Sequence, residues 1–234
     1  MKTLEYELGA HVRAFTTTHQ VDARRTNPLP LSELSGLPLN RIVIPHQVHD
    51  TRCLLIDEIF FQRSDEQRIA CLEGIDAVIS NLTDVLLCIS TADCIPIIIY
   101  DSRHHAAAVI HAGWKGTVGR IVQTTFTQMQ NAFGTQGEDC RSVIGPGISL
   151  ESFEVGDEVY DLFSNAGFDM ESITHRFDKW HIDLPLCNRQ QLLCCDIPQM
   201  NIYVSDVCTF RDTHYFSARR EGMQTGRNMT CIKL

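Results

Sequence analysis

Val85-Leu86-Leu87-Cys88-Ile89-Ser90-Thr91-Ala92-Asp93-Cys94-Ile95-Pro96-Ile97-Ile98-Ile99-Tyr100 is the stretch from which the rest of the chain can be read. Two largely apolar runs, Val85 to Ser90 and Ile95 to Tyr100, bracket the polar Thr91-Ala92-Asp93-Cys94. They read as buried strand pieces that meet at a functional kink. Asp93 and Pro96 interrupt the apolar run around Cys94, which a thiol that only packed would not require. Cys94 is therefore expected to have a chemical role.

Working outward, a third apolar run, Ala106 to His111, ends at Ala112-Gly113-Trp114-Lys115-Gly116, whose two glycines permit a tight turn. His111 is thus expected at a strand end. From Thr117 to Phe133, apolar residues recur at Val118, Ile121, Val122, Phe126, Met129 and Phe133, close to a helical stripe. The unit is strand, turn, helix. Upstream, His46-Gln47-Val48-His49 offers two more imidazoles. One of these histidines with Cys94 and His111 would supply two imidazoles and a thiolate, ligand types that suit zinc or copper. Three protein ligands leave a tetrahedral ion one open position, the arrangement of a catalytic zinc. On an extended strand His46 and His49 point to opposite faces, so only one is expected to reach the metal, and spacing does not choose between them.

Further along, Arg141 to Ile144 reads as a short strand entering the Gly145-Pro146-Gly147 turn, and Phe153 to Ala166 as an amphipathic helix ending before Gly167. A second helix is expected over Leu186 to Cys195, stopped by Asp196-Ile197-Pro198, and Ile202 to Val207 reads as the last clear strand. Thr26-Asn27-Pro28-Leu29-Pro30 has the composition of a surface loop. Strands and helices mix without a strict βαβ repeat. The expectation is an α+β fold, a single domain over residues 1–234 with a mixed β-sheet core packed by α-helices.

Composition narrows the function classes. Of the 234 residues, 44% are hydrophobic and 21% charged, ordinary for a soluble domain. No apolar run is long enough to span a bilayer, and Met1-Lys2-Thr3-Leu4-Glu5-Tyr6-Glu7 lacks the apolar stretch of a signal peptide, so a cytoplasmic location is expected. The ten cysteines are scattered through a long chain and several sit inside apolar runs, which reads as reduced packing thiols rather than a disulfide framework. A formal net charge of −9 repels nucleic acid and anionic membranes, so an anionic substrate needs a local basic pocket.

Gln47-Val48-His49, Asp76-Ala77-Val78, Thr91-Ala92-Asp93-Cys94-Ile95-Pro96, His111-Ala112-Gly113-Trp114-Lys115-Gly116-Thr117, Ile144-Gly145-Pro146, Phe216-Ser217-Ala218-Arg219-Arg220 and Thr225-Gly226-Arg227 together resemble the laccase-domain, or polyphenol oxidase, family of purine nucleoside phosphorylase type. The order and spacing match from about Leu39 to the carboxyl end. The resemblance implies His49, Cys94 and His111 as metal ligands. It also implies zinc-dependent phosphorolysis of adenosine, inosine and methylthioadenosine, and adenosine deamination. Departures from the family pattern are visible. Thr16-Thr17-Thr18-His19-Gln20-Val21 stands where the family usually has Thr-Thr-Arg-His-Gly-Gly, so an anion-binding arginine is missing. Lys115 replaces an arginine and loses its planar fork, Gly147 stands where a cysteine is common, and Asp50 replaces a glycine.

The roles expected on this basis are Cys94, His111 and Asp93 in catalysis, with Asp93 shuttling protons, and Lys115, Arg219, Arg220 or Arg227 holding phosphate. Purine nucleosides and phosphate would be the partners, with zinc the metal and copper possible. Three other readings compete: a copper-dependent phenol oxidase, a metal-free hydrolase with Cys94 as nucleophile and His111 as base, and a pure binding module. Multicopper chemistry commonly uses paired His-x-His motifs, and this chain has none.

Overall fold

A computed structural model describes residues 2–234. With elements numbered in chain order, a five-stranded sheet runs β1 (Thr3–Tyr6), β2 (Arg13–Thr17), β14 (Asn228–Lys233), β6 (Leu86–Thr91) and β3 (Ile42–Val43). A six-stranded sheet runs β13 (Ile202–Val204), β9 (Cys140–Ile144), β7 (Ile95–Asp101), β8 (Ala106–Ala112), β5 (Ala77–Ser80) and β4 (Cys53–Leu55). Three short strands, β10 (Glu154–Val155), β12 (Trp180–Ile182) and β11 (Thr174–Arg176), make a third sheet. Both larger sheets are mixed: β3 on β6, β13 on β9 and β4 on β5 pair in parallel, and the other neighbours are antiparallel.

The expected mixed sheet is thus two packed sheets, and the apolar runs Val85 to Ser90 and Ile95 to Tyr100 belong to different ones. Alternation explains why both runs are apolar throughout. On β6, Leu87 and Ile89 face the space between the sheets, where Ile98, Tyr100, Val109 and Val143 meet them from the six-stranded sheet. Leu86 and Cys88 face the other way, onto Phe15, Met229, Cys231 and Leu31. On β7, Ile95, Ile97 and Ile99 turn outward onto Ile121, Val122, Phe126 and Met129. Each sheet is buried on both faces, so the usual polar-out alternation is lost.

The helices complete the layers. α1 (Leu29–Ser35) covers the five-stranded sheet through Leu31, beginning where a surface loop was expected because Pro30 is tolerated in a first helical turn. α2 (Glu58–Phe61) and α3 (Asp65–Cys71) follow β4, the second under a Ser64 capping box. The expected helix from Thr117 is broken in two, α4 (Trp114–Val118) and α5 (Ile121–Phe133), at Arg120, whose backbone is left-handed with φ 63°. α6 (Asp157–Asn165) is shorter than expected because Glu154 and Val155 pair as β10, and α7 (Met170–Ile173) precedes β11. α8 (Leu184–Leu193) starts two residues early, capped by Asp183. α9 (Ala218–Glu221) lies just before the last strand. That last strand is β14, not the Ile202 region: β13 ends at Val204, and Asn228–Lys233 is central in its sheet.

Ten unpaired cysteines agree with the reduced-thiol reading. Among the described residues no helix is long and apolar enough to cross a membrane. At the seam between the sheets, Ile98→Ala should cost about 2–5 kcal/mol in urea unfolding, as a buried isoleucine truncation does. Met200→Ala, at a side chain 92% exposed, should stay within about 0.5 kcal/mol. Equal effects would contradict the two-sheet core.

Candidate metal centre

Strand register assembles the site. β7 and β8 pair with Ile95 opposite Ala112, which sets Cys94, just before β7, beside Gly113, just after β8. β5 pairs with β8 so that Ala77 faces Ile110, and the peptide N–H of His111 donates to the Asp76 carbonyl at 2.8 Å. Cys94 itself lies on Ala92–Cys94, the link that carries the chain from the five-stranded sheet to the six-stranded one.

The third contributor is an irregular segment that needs outside support. Gln47 provides one anchor: its side-chain amide donates to the Ser90 carbonyl and its amide oxygen accepts from the Ser90 N–H, both at 2.8 Å. Asp76 provides the other. Its carboxylate accepts the backbone N–H groups of Val48, His49 and Asp50 at 3.1, 2.9 and 3.0 Å. The chain turns at His49, whose φ is 66°. That bend separates the two histidines more decisively than strand alternation would. His46 turns to Glu73, its Nδ1 2.5 Å from the carboxylate, while His49 turns to Cys94 and His111.

The donor atoms of His49, Cys94 and His111 all lie within 4.8 Å of one another. One ion with bonds of about 2.0–2.3 Å would close that spacing with a small inward movement. The His111 Nδ1 sits 2.7 Å from Asp76 Oδ1, leaving Nε2 for a metal, the carboxylate–histidine arrangement that fixes a ligand's tautomer. Gly113 completes the cradle, since a Cβ there would fall 3.0 Å from His49 Cδ2 and 3.1 Å from Cys94 Sγ. The residues fit a zinc or copper ion.

Without metal the same groups form an ion pair. Burial disfavours the Cys94 thiolate, but the charge and hydrogen bonds of His111 and His49 outweigh it and bring the thiol down to about 6. Burial likewise opposes the His111 imidazolium, and the Cys94 charge and the Asp76 hydrogen bond overcome it, pushing the imidazole up to about 9. At Cys53, Cys140 and Cys195 burial prevails and pushes the thiols up to about 12.

The three donors open on a cleft of about 280 Å³, lined also by Arg25, His46, Gln47, Ser90, Met223 and Arg227. Of the four cations expected to hold phosphate, only Arg227 faces it. Lys115 is exposed, with Nζ over the Trp114 ring, and Arg219 donates to the Glu154 carbonyl and lies over Phe153. Arg220 has all five N–H donors occupied, by the carbonyls of Thr209, Phe210 and Tyr215 and by Glu221, so it is a structural peg. Asp93, expected to shuttle protons, is not in the cleft lining. One carboxylate oxygen accepts the Thr209 hydroxyl at 2.8 Å and the other the Arg219 N–H at 2.7 Å. These bonds hold the Cys94 link, where the Asp93 φ is 89°.

Sequence reading missed two residues. Asp76 was visible as part of a motif but had no role, because nothing local shows a carboxylate gathering N–H groups from a segment 26 to 28 positions away. Arg25 lay in no motif at all. At Gly147 a Cβ would meet Ile95 Cδ1 at 2.4 Å, so Ile95 occupies the room that a side chain there would need.

The chain belongs to the family described as multi-copper polyphenol oxidoreductase laccase, whose model matches residues 6–234. It is 45% identical over 215 residues to a purine nucleoside phosphorylase of Bacteroides thetaiotaomicron, covering 90% of this chain and 79% of the relative. It is 39% identical over 216 residues to adenosine deaminase RL5 of an unknown prokaryotic organism, covering 91% and 80%. Its fold matches the crystal structure of Bacillus licheniformis hypothetical protein YfiH with a TM-score of 0.84 at 25% identity, over 100% of this chain and 96% of that one.

In chelator-treated protein, iodoacetamide labelling of Cys94, read by peptide mass spectrometry, should reach half its maximal rate near pH 6. Half-maximal labelling near pH 9 would show that His111 does not stabilise the thiolate. Asp76→Asn keeps the shape but removes the charge behind His111, and should weaken zinc binding about 10- to 100-fold in competition with a chromogenic chelator.

Proposed function

We propose that this chain is a zinc-dependent purine nucleoside enzyme, cleaving adenosine, inosine and methylthioadenosine by phosphorolysis and deaminating adenosine. The observation that carries the reading is the His49, Cys94 and His111 donor set opening on a nucleoside-scale cleft. Relatives named purine nucleoside phosphorylase and adenosine deaminase, at 45% and 39% identity, support it. Three protein donors leave one position open, and zinc held there would supply Lewis acidity and a bound water of lowered pKa.

The remaining work falls to the cleft's own side chains. His46 is the cleft-lining imidazole outside the donor set, and with Nδ1 bonded to Glu73 it is placed to carry a proton to or from the substrate. The Gln47–Ser90 clamp fixes part of the cleft wall. Arg227, tied to the carbonyls of Met223, Thr225 and Gly226, presents a rigid cation to anionic substrate groups. Ten unpaired cysteines support a reducing, cytoplasmic setting.

Copper-dependent phenol oxidation is the second reading, favoured by the description of the matching family model. The donor set suits copper as well. Among the described residues, however, one group of three donors is present, enough for a single ion, whereas four-electron reduction of oxygen draws on several. A metal-free Cys94–His111 hydrolase would use the same ion pair described above.

Metal-quantified protein given adenosine with and without phosphate separates these readings by chromatography of the products. Adenine formed only with phosphate, or inosine in either case, is the expected result. Cys94→Ala should lose both metal and turnover. Turnover that survives complete metal removal would sink the zinc mechanism in favour of the hydrolase.

A further inference from the structure

The cleft does not end at Arg227. A second cavity of about 240 Å³ adjoins it, lined by Arg24, Arg25, Thr26, Ser90, Met223, Gln224, Thr225 and Arg227. The two share Arg25, Ser90, Met223 and Arg227, so they are lobes of one cleft. The outer lobe has three arginines and no carboxylate in its lining, in a chain whose net charge is −9. Its other polar groups are hydroxyls and a carboxamide, which hydrogen-bond an anion without repelling it.

We propose that this outer lobe binds a phosphate group, with Arg25 as its principal ligand. The proposal rests on the nucleoside-enzyme reading and deepens it. Among the described residues Arg25 makes one side-chain bond, Nη1 to Glu73 Oε1 at 3.0 Å, which leaves N–H groups for the fork that grips two phosphate oxygens. Glu73 bonds the His46 ring as well, so one carboxylate sets both the anion-binding arginine and the proton-carrying imidazole at the cleft wall. Arg24 is paired with Asp22 at 3.2 Å and adds longer-range charge.

Two sources of phosphate fit this chemistry equally: free orthophosphate as the co-substrate of phosphorolysis, and the ester phosphate of a nucleoside 5′-monophosphate. In the first, a phosphate oxygen forms the bond to the sugar's C1′ as the bond from C1′ to the purine nitrogen breaks, and the base leaves with the electron pair and takes up a proton. In the second, the ester is carried unchanged while the base reacts at the inner lobe.

The test compares wild type with Arg25→Gln and Arg25→Lys, all zinc-loaded. Thermal shift and 31P line broadening are measured with inorganic phosphate, adenosine and AMP, alongside kinetics of adenosine deamination and phosphorolysis. Wild type should respond to phosphate or AMP, and Arg25→Gln should lose about tenfold or more in that affinity, a larger loss than in its response to adenosine. Arg25→Lys should recover part of it. A raised KM for phosphate with AMP no better than adenosine identifies orthophosphate, and an AMP preference that Arg25→Gln removes identifies the ester. Wild-type affinity retained in Arg25→Gln, or no response of wild type to either anion, overturns the proposal. Phosphate binding lost in Arg25→Gln, in a protein that turns over no nucleoside, would leave the anion site standing and remove the nucleoside reading instead.

Discussion

One buried carboxylate holds the functional end of this molecule together. Asp76 has no exposure, and a lone charge at such a place would be strongly destabilising. It is tolerated because four hydrogen bonds converge on it, three from successive backbone N–H groups at Val48, His49 and Asp50 and one from the His111 ring. Burial works against its ionisation, and the His111 and backbone bonds more than offset this, keeping the carboxyl below its ordinary range. The same bonds tie an irregular segment to the end of β8. Two of the three donors are therefore placed by a single side chain.

The third donor depends on the offset between the sheets. Because β6 and β7 lie in different layers, the chain must cross between them within Ala92–Cys94, and a crossing so short needs an unusual backbone. The positive φ of Asp93 provides it, and the Thr209 and Arg219 bonds stabilise it. Residues with the look of acid–base or phosphate chemistry, Asp93 and Arg220, turn out to fasten the loops that carry the site. Charge at the cleft is separate from charge overall: the chain is acidic, yet the cleft is lined by Arg24, Arg25 and Arg227, with Asp22 and Glu73, the partners of the first two, outside the lining. Such an arrangement concentrates anions locally without making the whole surface attractive to polyanions.

Much of this was legible in the residues. Strands such as β7 and β8, and the helix that follows them, could be read from apolar runs and turn glycines, because burial on both faces leaves a continuous signal. Cys94 and His111 stood out because polar chemistry interrupted those runs. The terminal strands β1, β2 and β14 were not read, since Thr16, Thr17, Asn228 and Thr230 are buried polar residues paired to one another or to backbone rather than an apolar run.

The sequence by itself determined the element types around the site, marked Cys94 and His111 as candidate donors with His49 added by the family resemblance, and required a local basic pocket for any anion in an acidic chain. Tertiary structure alone decided that β6 and β7 part into separate sheets, that the bend at His49 turns its ring to Cys94 while His46 turns to Glu73, and that Arg25 rather than Lys115 lines the cleft. The reason is physical. Local sequence sets backbone preference and burial, which act over a few residues. A donor set and its cations are instead fixed by hydrogen bonds such as those of Asp76 and Glu73, which join segments roughly 26 to 48 positions apart.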